Sequence, residues 1–456
     1  MALENPRPIP TLAYERIPRF MGRQQHMVDS LPERLAIVVG GGPAPGINGV
    51  ISSVTLEAIR RGIEVIGVRN GFQNFILGDA TKVQTLQKAD VAPYYHRGGS
   101  MLGTSRTNPA KDPVHMQNVL DSLKSLGAKY LVTIGGDDTA FSGSQVYKRA
   151  AGAIKVAHVP KTIDNDLPLP PGIPTFGFET ARHYGVQLCR SLHEDARTTG
   201  RWYIVVSMGR AAGHLALGIG KAAAATLTII PEEFRDEPLG LDQLCDIIIG
   251  SMIKRKTEGK NYGLVVLAEG LIELIGEKGL SAAMPDEELS RYGKIERDPF
   301  GHLRLGEIEF GRMIRDRIAK RLEPLSLKST MIDKDLGYEL RCADPIPFDI
   351  EYTRDLGYGA VKFLTSAESG KYGAIVSVIG GVLKPLKFED MIDPKTLRMR
   401  PRVVDVSCVN YECARQYMTR LEKEDFDDPK NLAALAATVK QTPEQFEVQF
   451  GKLVRS

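Results

Sequence analysis

Short runs of aliphatic and β-branched residues recur at 35–39, 65–68, 130–134, 156–159, 203–207, 227–230, 264–267 and 374–379, each followed by polar or glycine-containing sequence and then a helical pattern. This alternation predicts β-α-β units and a parallel sheet. Within each run the apolar residues are nearly continuous, as expected of strands covered by helices on both faces. The expected fold class is therefore α/β. Behind the first run, Val50, Val54, Ala58 and Ile59 share one face of a helix predicted over 48–61 and stopped at Gly62. Near the other end, Asp428-Pro429 and Thr442-Pro443-Glu444-Gln445 read as helix starts, a cap followed by proline, the second with a capping box.

The charged, helix-favouring stretch 272–322 predicts a helical insertion. The first 33 residues, with prolines at 6, 8, 10, 18 and 32, predict an extended arm rather than part of a core. At 456 residues, 43% of them apolar, the chain exceeds one ordinary core and two domains are expected.

A net charge of +3, dispersed Lys and Arg, a single Trp and no basic run interleaved with aromatics argue against nucleic acid as a partner. The longest apolar stretch, 222–230, is too short to span a bilayer, so no membrane partner is expected. The N-terminal residues have neither a signal-peptide core nor a transit-sequence pattern, and the expected location is cytoplasmic. Cys189, Cys245, Cys342, Cys408 and Cys413 are odd in number and form no C-x-x-C pair, which argues against a disulfide frame or zinc site. They are read as buried or partly buried thiols.

The candidate chemistry sits at the ends of predicted strands. Gly40-Gly41-Gly42-Pro43-Ala44-Pro45-Gly46 turns straight into a helix, where backbone N–H groups suit either an anion or a plain tight turn. It fits neither common phosphate motif: the dinucleotide fingerprint fails at Pro45, and Ile47 stands where a Walker lysine belongs. Gly135-Gly136-Asp137-Asp138 offers hard oxygen ligands for magnesium beside glycines that let a ligand approach, though a solvated turn has the same composition. Pro160-Lys161-Thr162-Ile163-Asp164-Asn165-Asp166 adds a lysine, a hydroxyl and two carboxylates two residues apart. Asp164 is suited to accept a proton from an attacking hydroxyl, and Asp166 to hold or orient the metal.

With these segments in view, the chain resembles the phosphofructokinase family, and specifically its pyrophosphate-dependent branch. The resemblance runs from about 34 to 385 through GGGPAPG at 40–46, RGGSMLGTSR at 97–106, GGDDT at 135–139, PKTIDND at 160–166, MGR at 208–210, AEG at 268–270 and LGYELR at 336–341. It implies two Rossmann-like three-layer α/β/α domains with mainly parallel sheets. A phosphoryl-donor domain would take 34–176 plus about 340–400, and a sugar-phosphate domain 177–339 plus about 401–456.

The resemblance implies magnesium-dependent, reversible transfer from pyrophosphate to the 1-hydroxyl of fructose 6-phosphate. Asp164 would be the general base, with Asp137 and Asp166 serving the metal and Thr162 positioning the phosphoryl group. Gly42, Arg106, Gly136, Asp138 and Lys161 would contact the donor. Thr162, Ile163, Asp164, Met208, Gly209, Arg210, Glu269, Tyr338 and Arg341 would surround the acceptor. Arg201 matches an arginine that reaches a neighbouring subunit's sugar phosphate, implying a homo-oligomer, dimer or tetramer, with shared sites. Tyr338 stands where ATP-using relatives usually carry histidine, and Lys328 is the nearest stand-in for a second cross-subunit arginine.

In ATP-using relatives glycines usually match Asp138 and Lys161. A carboxylate about 4 Å from an α-phosphate charge costs roughly 4 kcal/mol at an effective dielectric near 20. Some ATP-using relatives share PKTIDND, so Asp138 discriminates more than Lys161. Lys161 can screen charge on the transferring group or pair with Asp138 as a salt bridge. An ATP-dependent enzyme, or one acting on sedoheptulose 7-phosphate, is the alternative.

Overall fold

The structure is a computed structural model that describes residues 32–210, 212–235, 238–293, 308–393, 395 and 399–454. The arm expected over the first 33 residues falls outside the described residues up to position 31. In chain order, the strands among the described residues are β1 Arg34–Val39, β2 Glu64–Val68, β3 Val83–Leu86, β4 Ala128–Gly135, β5 Lys155–Pro160, β6 Arg201–Ser207, β7 Leu227–Ile229, β8 Gly263–Ala268, β9 Thr330–Leu336, β10 Ala374–Ile375, β11 Val378–Ile379, β12 Val382–Leu383 and β13 Leu386–Lys387.

Seven of them form one sheet in the order β13-β10-β5-β4-β1-β2-β3. Its interior pairs are parallel, and β3 and β13 close the two edges antiparallel. A second sheet, β7-β8-β6-β9, is parallel throughout. Both lie within the compact unit Glu33–Ser456.

Continuous apolar runs are buried because successive side chains point to opposite covered faces. In β1, Leu35, Ile37 and Val39 pack with Val50, Val54, Leu356 and Val361 of the helices Ile47–Arg60 and Pro347–Leu364. Ala36 and Val38 face Met116, Val119 and Ala140 on the other side. In β6, Trp202, Ile204 and Val206 meet Leu244, Ile248 and Ile314, whereas Tyr203 and Val205 meet Ala181, Leu215 and Ile219. Each sheet is thus the middle of a three-layer α/β/α sandwich.

The predicted helix over 48–61 is found at Ile47–Arg60, and Gly62 after it adopts φ 76°. Asp428 caps Pro429–Thr438, and Thr442 forms its capping box with Gln445. The stretch 272–322 carries the helices Gly270–Ala283, Asp286–Leu289 and Phe310–Leu322, with 294–307 outside the described residues.

Two expectations need correction. The run 374–379 is not one strand: Val376 N still bonds the His158 carbonyl at 2.8 Å, but the chain then leaves the sheet and turns back through Gly380 and Gly381, both at positive φ. Their left-handed pair makes the tight β11-β12 hairpin. Cys342 is exposed, because it lies at the end of a one-turn helix on the surface, whereas Cys189 and Cys245 are buried. The strand β9 was not legible as an apolar run, since this edge strand carries Asp333, Lys334 and Asp335.

His158 is fully buried in β5, opposite Thr133 of β4. Its Nε2 lies 3.0 Å from the Gly135 carbonyl, which can only accept, so Nε2 carries the proton and Nδ1 accepts from the Thr133 hydroxyl at 2.9 Å. Burial pulls this imidazole down to about 3. A depressed folded-state value means that the unfolded chain takes up the proton first as pH falls through about 6.5, so stability is present above that pH and is lost toward about 3. Between pH 7 and 5 the wild type is expected to lose about 2 kcal/mol more stability than His158→Gln. Urea unfolding at both pH values measures this, and parallel losses would refute it.

Candidate active site

The segments singled out in the sequence leave the carboxyl ends of their strands: the glycine loop after β1, Gly136 to Asp138 after β4, Lys161 to Asp166 after β5, Met208 to Arg210 after β6, Glu269 after β8 and Tyr338 to Arg341 after β9. Parallel sheets open their loops at this end, and the loops of both sheets converge here. They line one cavity of about 680 Å³. Gly42, Arg106, Gly136, Asp137, Asp138, Lys161, Thr162, Ile163, Asp164, Asp166, Met208, Arg210, Glu269, Tyr338 and Arg341 all contribute to its wall. Gly209 adjoins it: its N–H donates to Glu269 at 3.2 Å, and Asp164 Oδ1 lies 4.0 Å from where a Cβ on Gly209 would sit.

The glycine-loop end is built from backbone. Gly41 turns at φ 81°, its N–H donates to the Ser105 carbonyl at 2.8 Å, and the Thr104 hydroxyl donates to the Gly41 carbonyl at 2.7 Å. The segment carrying Arg106 therefore braces the glycine loop. A side chain at Gly42 would stand 2.9 Å from Arg341 Nη1, so this glycine makes room for the guanidinium. The two glycines at the end of β4, Gly135 and Gly136, differ in purpose. A Cβ on Gly135 would overlap the Thr139 side chain at 2.3 Å, so Gly135 serves internal packing and not a ligand, while Gly136 stays open.

Lys161 is 4% exposed, and its Nζ donates to the Gly42 carbonyl. Burial pulls the amine down to about 8, against the pull of Asp164 and Asp166 upward, with Arg341 and Arg106 adding to the fall. No ion pair joins it to Asp138. Asp138, exposed in the first turn of the helix Asp137–Ala150, accepts instead from Asn108 Nδ2 at 3.1 Å. The salt bridge entertained from sequence is absent because Lys161 turns toward the glycine loop.

Asp164 is partly exposed by area yet recessed among protein atoms on most sides. Burial pushes its carboxyl up to about 7, reinforced by Asp166 and Glu269 and opposed by Lys161 and Arg210. Asp166 is also raised, first by burial and then by the charge of Asp137. Two carboxylates that repel each other are a natural seat for a divalent cation. Among the described residues no group of three or more His, Cys, Asp or Glu is poised as a ready-made cage.

At the other end, Arg210 Nε stands 3.5 Å from Glu269 Oε1. The Arg341 guanidinium lies 4.6 Å from the Tyr338 ring centroid, and its Nε is buried without a partner. Its reach to Gly42 brings Arg341 to the glycine loop, a proximity that spacing along the chain did not reveal.

Arg201 does not join this assembly. It starts β6 while Met208 follows its end, a separation of about 20 Å at the rise of a parallel strand. Its Nε has no hydrogen-bond partner, and Asp195 is 3.8 Å away. Lys328 likewise lies outside the lining. Sequence reasoning missed Glu273, which enters the cavity wall and whose carboxyl is raised mainly by burial. Its signal was present, since it follows Glu269 by four residues at the start of a helix. The Asn108 contact to Asp138 had no such signal.

Comparison with known proteins places this architecture. A family model described as Phosphofructokinase matches residues 34–364. The chain is 52% identical to a pyrophosphate--fructose 6-phosphate 1-phosphotransferase of Thermotoga maritima, over 92% of this chain and 98% of the relative. It is 49% identical to the protein of the same name from Naegleria fowleri, over 92% and 96% of the two chains. In fold it is similar to the crystal structure of the pyrophosphate-dependent phosphofructokinase from Marinobacter aquaeolei, with a TM-score of 0.62 at 16% identity, covering 85% of this chain and 90% of that one. No helix among the described residues is long and apolar enough to cross a membrane. On the family match over most of its length, and on near-full-length relatives about half identical to it, the chain belongs to the phosphofructokinase family.

Proposed function

We propose that this chain transfers a phosphoryl group reversibly from pyrophosphate to the 1-hydroxyl of fructose 6-phosphate, giving fructose 1,6-bisphosphate and phosphate. The observation that carries the reading is the meeting, in one cavity, of a recessed Asp164, a buried Lys161 and an exposed Asp138. The names of the two half-identical relatives support the same donor and acceptor.

Asp164 takes the proton from the 1-hydroxyl as its oxygen bonds to phosphorus. The P–O–P bond breaks, and its electron pair leaves with phosphate. Lys161, Arg106 and Gly42 hold the donor oxygens, and Thr162 with Gly136 orients the transferring group. Met208, Gly209, Arg210, Glu269, Ile163, Tyr338 and Arg341 seat the acceptor. Asp137 and Asp166 would hold magnesium, which when bound supplies positive charge against the phosphates. Pyrophosphate drives the step less strongly than ATP would, which favours operation in both directions.

The reading includes a donor domain over 34–176 plus about 340–400 and an acceptor domain over 177–339 plus about 401–456. It also includes a cytoplasmic location, in keeping with five free thiols. Initial rates with fructose 6-phosphate and magnesium, pyrophosphate against ATP, test the donor. Repeating them with sedoheptulose 7-phosphate tests the acceptor. Faster turnover with ATP, or with the longer sugar, would overturn the respective assignment.

Arg201 lies too far along β6 to serve its own chain's cavity, which supports a homo-oligomer in which it completes a neighbour's site. Arg201→Ala and Asp164→Asn should each retain only a small residual activity alone, and activity should return when the two are dissociated and reassembled together. Failure of the mixture, with assembly verified by sedimentation, would remove the shared site.

A further inference from the structure

We infer that Arg402, beyond the stretch matched to the family, is a positioning residue that sets the loop carrying Asp164 and Asp166. This inference rests on the catalytic reading above. The family match ends at residue 364, and Arg402 sits in a strap that returns across the cavity loops. Its Nε donates to the Asn165 carbonyl at 3.1 Å, Nη2 to the Asn165 side-chain oxygen and Nη1 to the Ile173 carbonyl at 2.7 Å. Its backbone N–H donates to the Asp166 carbonyl at 2.6 Å.

One planar guanidinium therefore ties the loop that follows Asp164 back to its own far end. The residue at the centre needs such a hold: Asn165 sits at φ 56°, a left-handed conformation that a non-glycine residue keeps only when its surroundings over-determine it. Asp164 and Asp166 flank it directly, so the turn at Asn165 sets where both carboxylates point.

The same strap grips the opposite wall. Val404 N and Gly213 N both donate to Glu232 Oε1 at 2.9 Å, and His214 Nε2 is 3.2 Å from the Arg402 carbonyl. Gly213 follows the loop of Met208 to Arg210, so one short segment holds the loop bearing the base and the loop that seats the acceptor. Their relative placement governs how well the hydroxyl meets phosphorus.

Loss of this hold should lower kcat by about 10²-fold, the usual consequence of misplacing reacting groups by an ångström. KM for fructose 6-phosphate and for pyrophosphate should stay within about twofold, since the groups that seat them remain. The test compares wild type, Arg402→Lys and Arg402→Ala in the intact chain, with thermal midpoints read alongside kinetics. Lysine keeps the charge but cannot bridge several carbonyls with a planar fork, so Arg402→Lys should lose at least about tenfold in kcat while staying folded. Added guanidinium, at concentrations that leave wild type unaffected, should recover part of the rate of Arg402→Ala.

Full kcat in Arg402→Lys would overturn the proposal, because charge alone would then suffice. So would a loss that merely tracks the unfolded fraction, or a folded Arg402→Ala that guanidinium does not rescue. If Arg402→Ala does not fold, Arg402→Lys decides. The same ratios can be read with ATP as donor, so an error in the donor assignment shows in the wild type and leaves this test intact.

Discussion

Asp164→Asn is expected to lower kcat by about 10²–10⁴-fold, the span contributed by a well-placed general base, with little change in KM for fructose 6-phosphate. Asparagine keeps the shape of the side chain but cannot take the hydroxyl proton. The sign of the pH dependence follows from the same group. In the forward direction the base must be deprotonated, so the rate rises with pH and levels off above its pKa. Burial and neighbouring carboxylates push that value up to about 7, and a divalent cation held beside it would lower it toward the ordinary carboxylate range.

The acid limb should therefore fall between those limits. In the reverse direction the protonated form is required, and the rate should fall as pH rises through the same value. Profiles of kcat/KM in both directions for wild type, and of the residual forward rate in Asp164→Asn, check this. A variant that kept the acid limb, or lost less than tenfold in kcat, would remove Asp164 from the role of base.

Asp138→Gly should weaken use of pyrophosphate and admit ATP. At about 4 Å from an α-phosphate, a carboxylate costs roughly 4 kcal/mol at an effective dielectric near 20. At about 1.4 kcal/mol for each factor of ten, this amounts to nearly a thousandfold bias against the nucleotide. The structure strengthens the expectation in two ways. Asn108 Nδ2 donates to the Asp138 carboxylate at 3.1 Å and favours its present orientation. Lys161 bonds the glycine loop and not Asp138, so removing the carboxylate orphans no buried charge. The stability cost should be small, about 0.3–1 kcal/mol for an acidic residue lost from a helix N-terminus. The ratio of kcat/KM for ATP over pyrophosphate, wild type against variant, is the readout. An unchanged ratio would mean that donor choice is made elsewhere.

Much of this site was legible because its residues leave strand ends in short, chemically loaded segments. Gly135 to Asp138 and Lys161 to Asp166 follow continuous apolar runs that can hardly be anything but buried parallel strands, and parallel strands open their loops at one end. Strand order alone therefore brings Asp164 and Asp137 to the same end of the sheet. Reading failed where pattern and burial part company. The charged edge strand β9 shows no apolar run, and the run over 374–379 hid a change of partner at Val376. Gly135 reads like a glycine kept for a ligand, yet it clears space for Thr139, four residues on in the helix that follows.

By itself the sequence determined the α/β class, the order of most of the buried strands, and the acidic and basic groups available for phosphoryl transfer, because these depend on local periodicity and on residues adjacent in the chain. Only the tertiary structure decided that Arg341 reaches Gly42, that Lys161 leaves Asp138 alone, that Arg201 is absent from its own cavity and that Arg402 grips the turn at Asn165. Those pairings join residues tens to hundreds of positions apart. Their geometry is set by how two sheets pack and where the returning chain crosses them, which no pattern along one segment records.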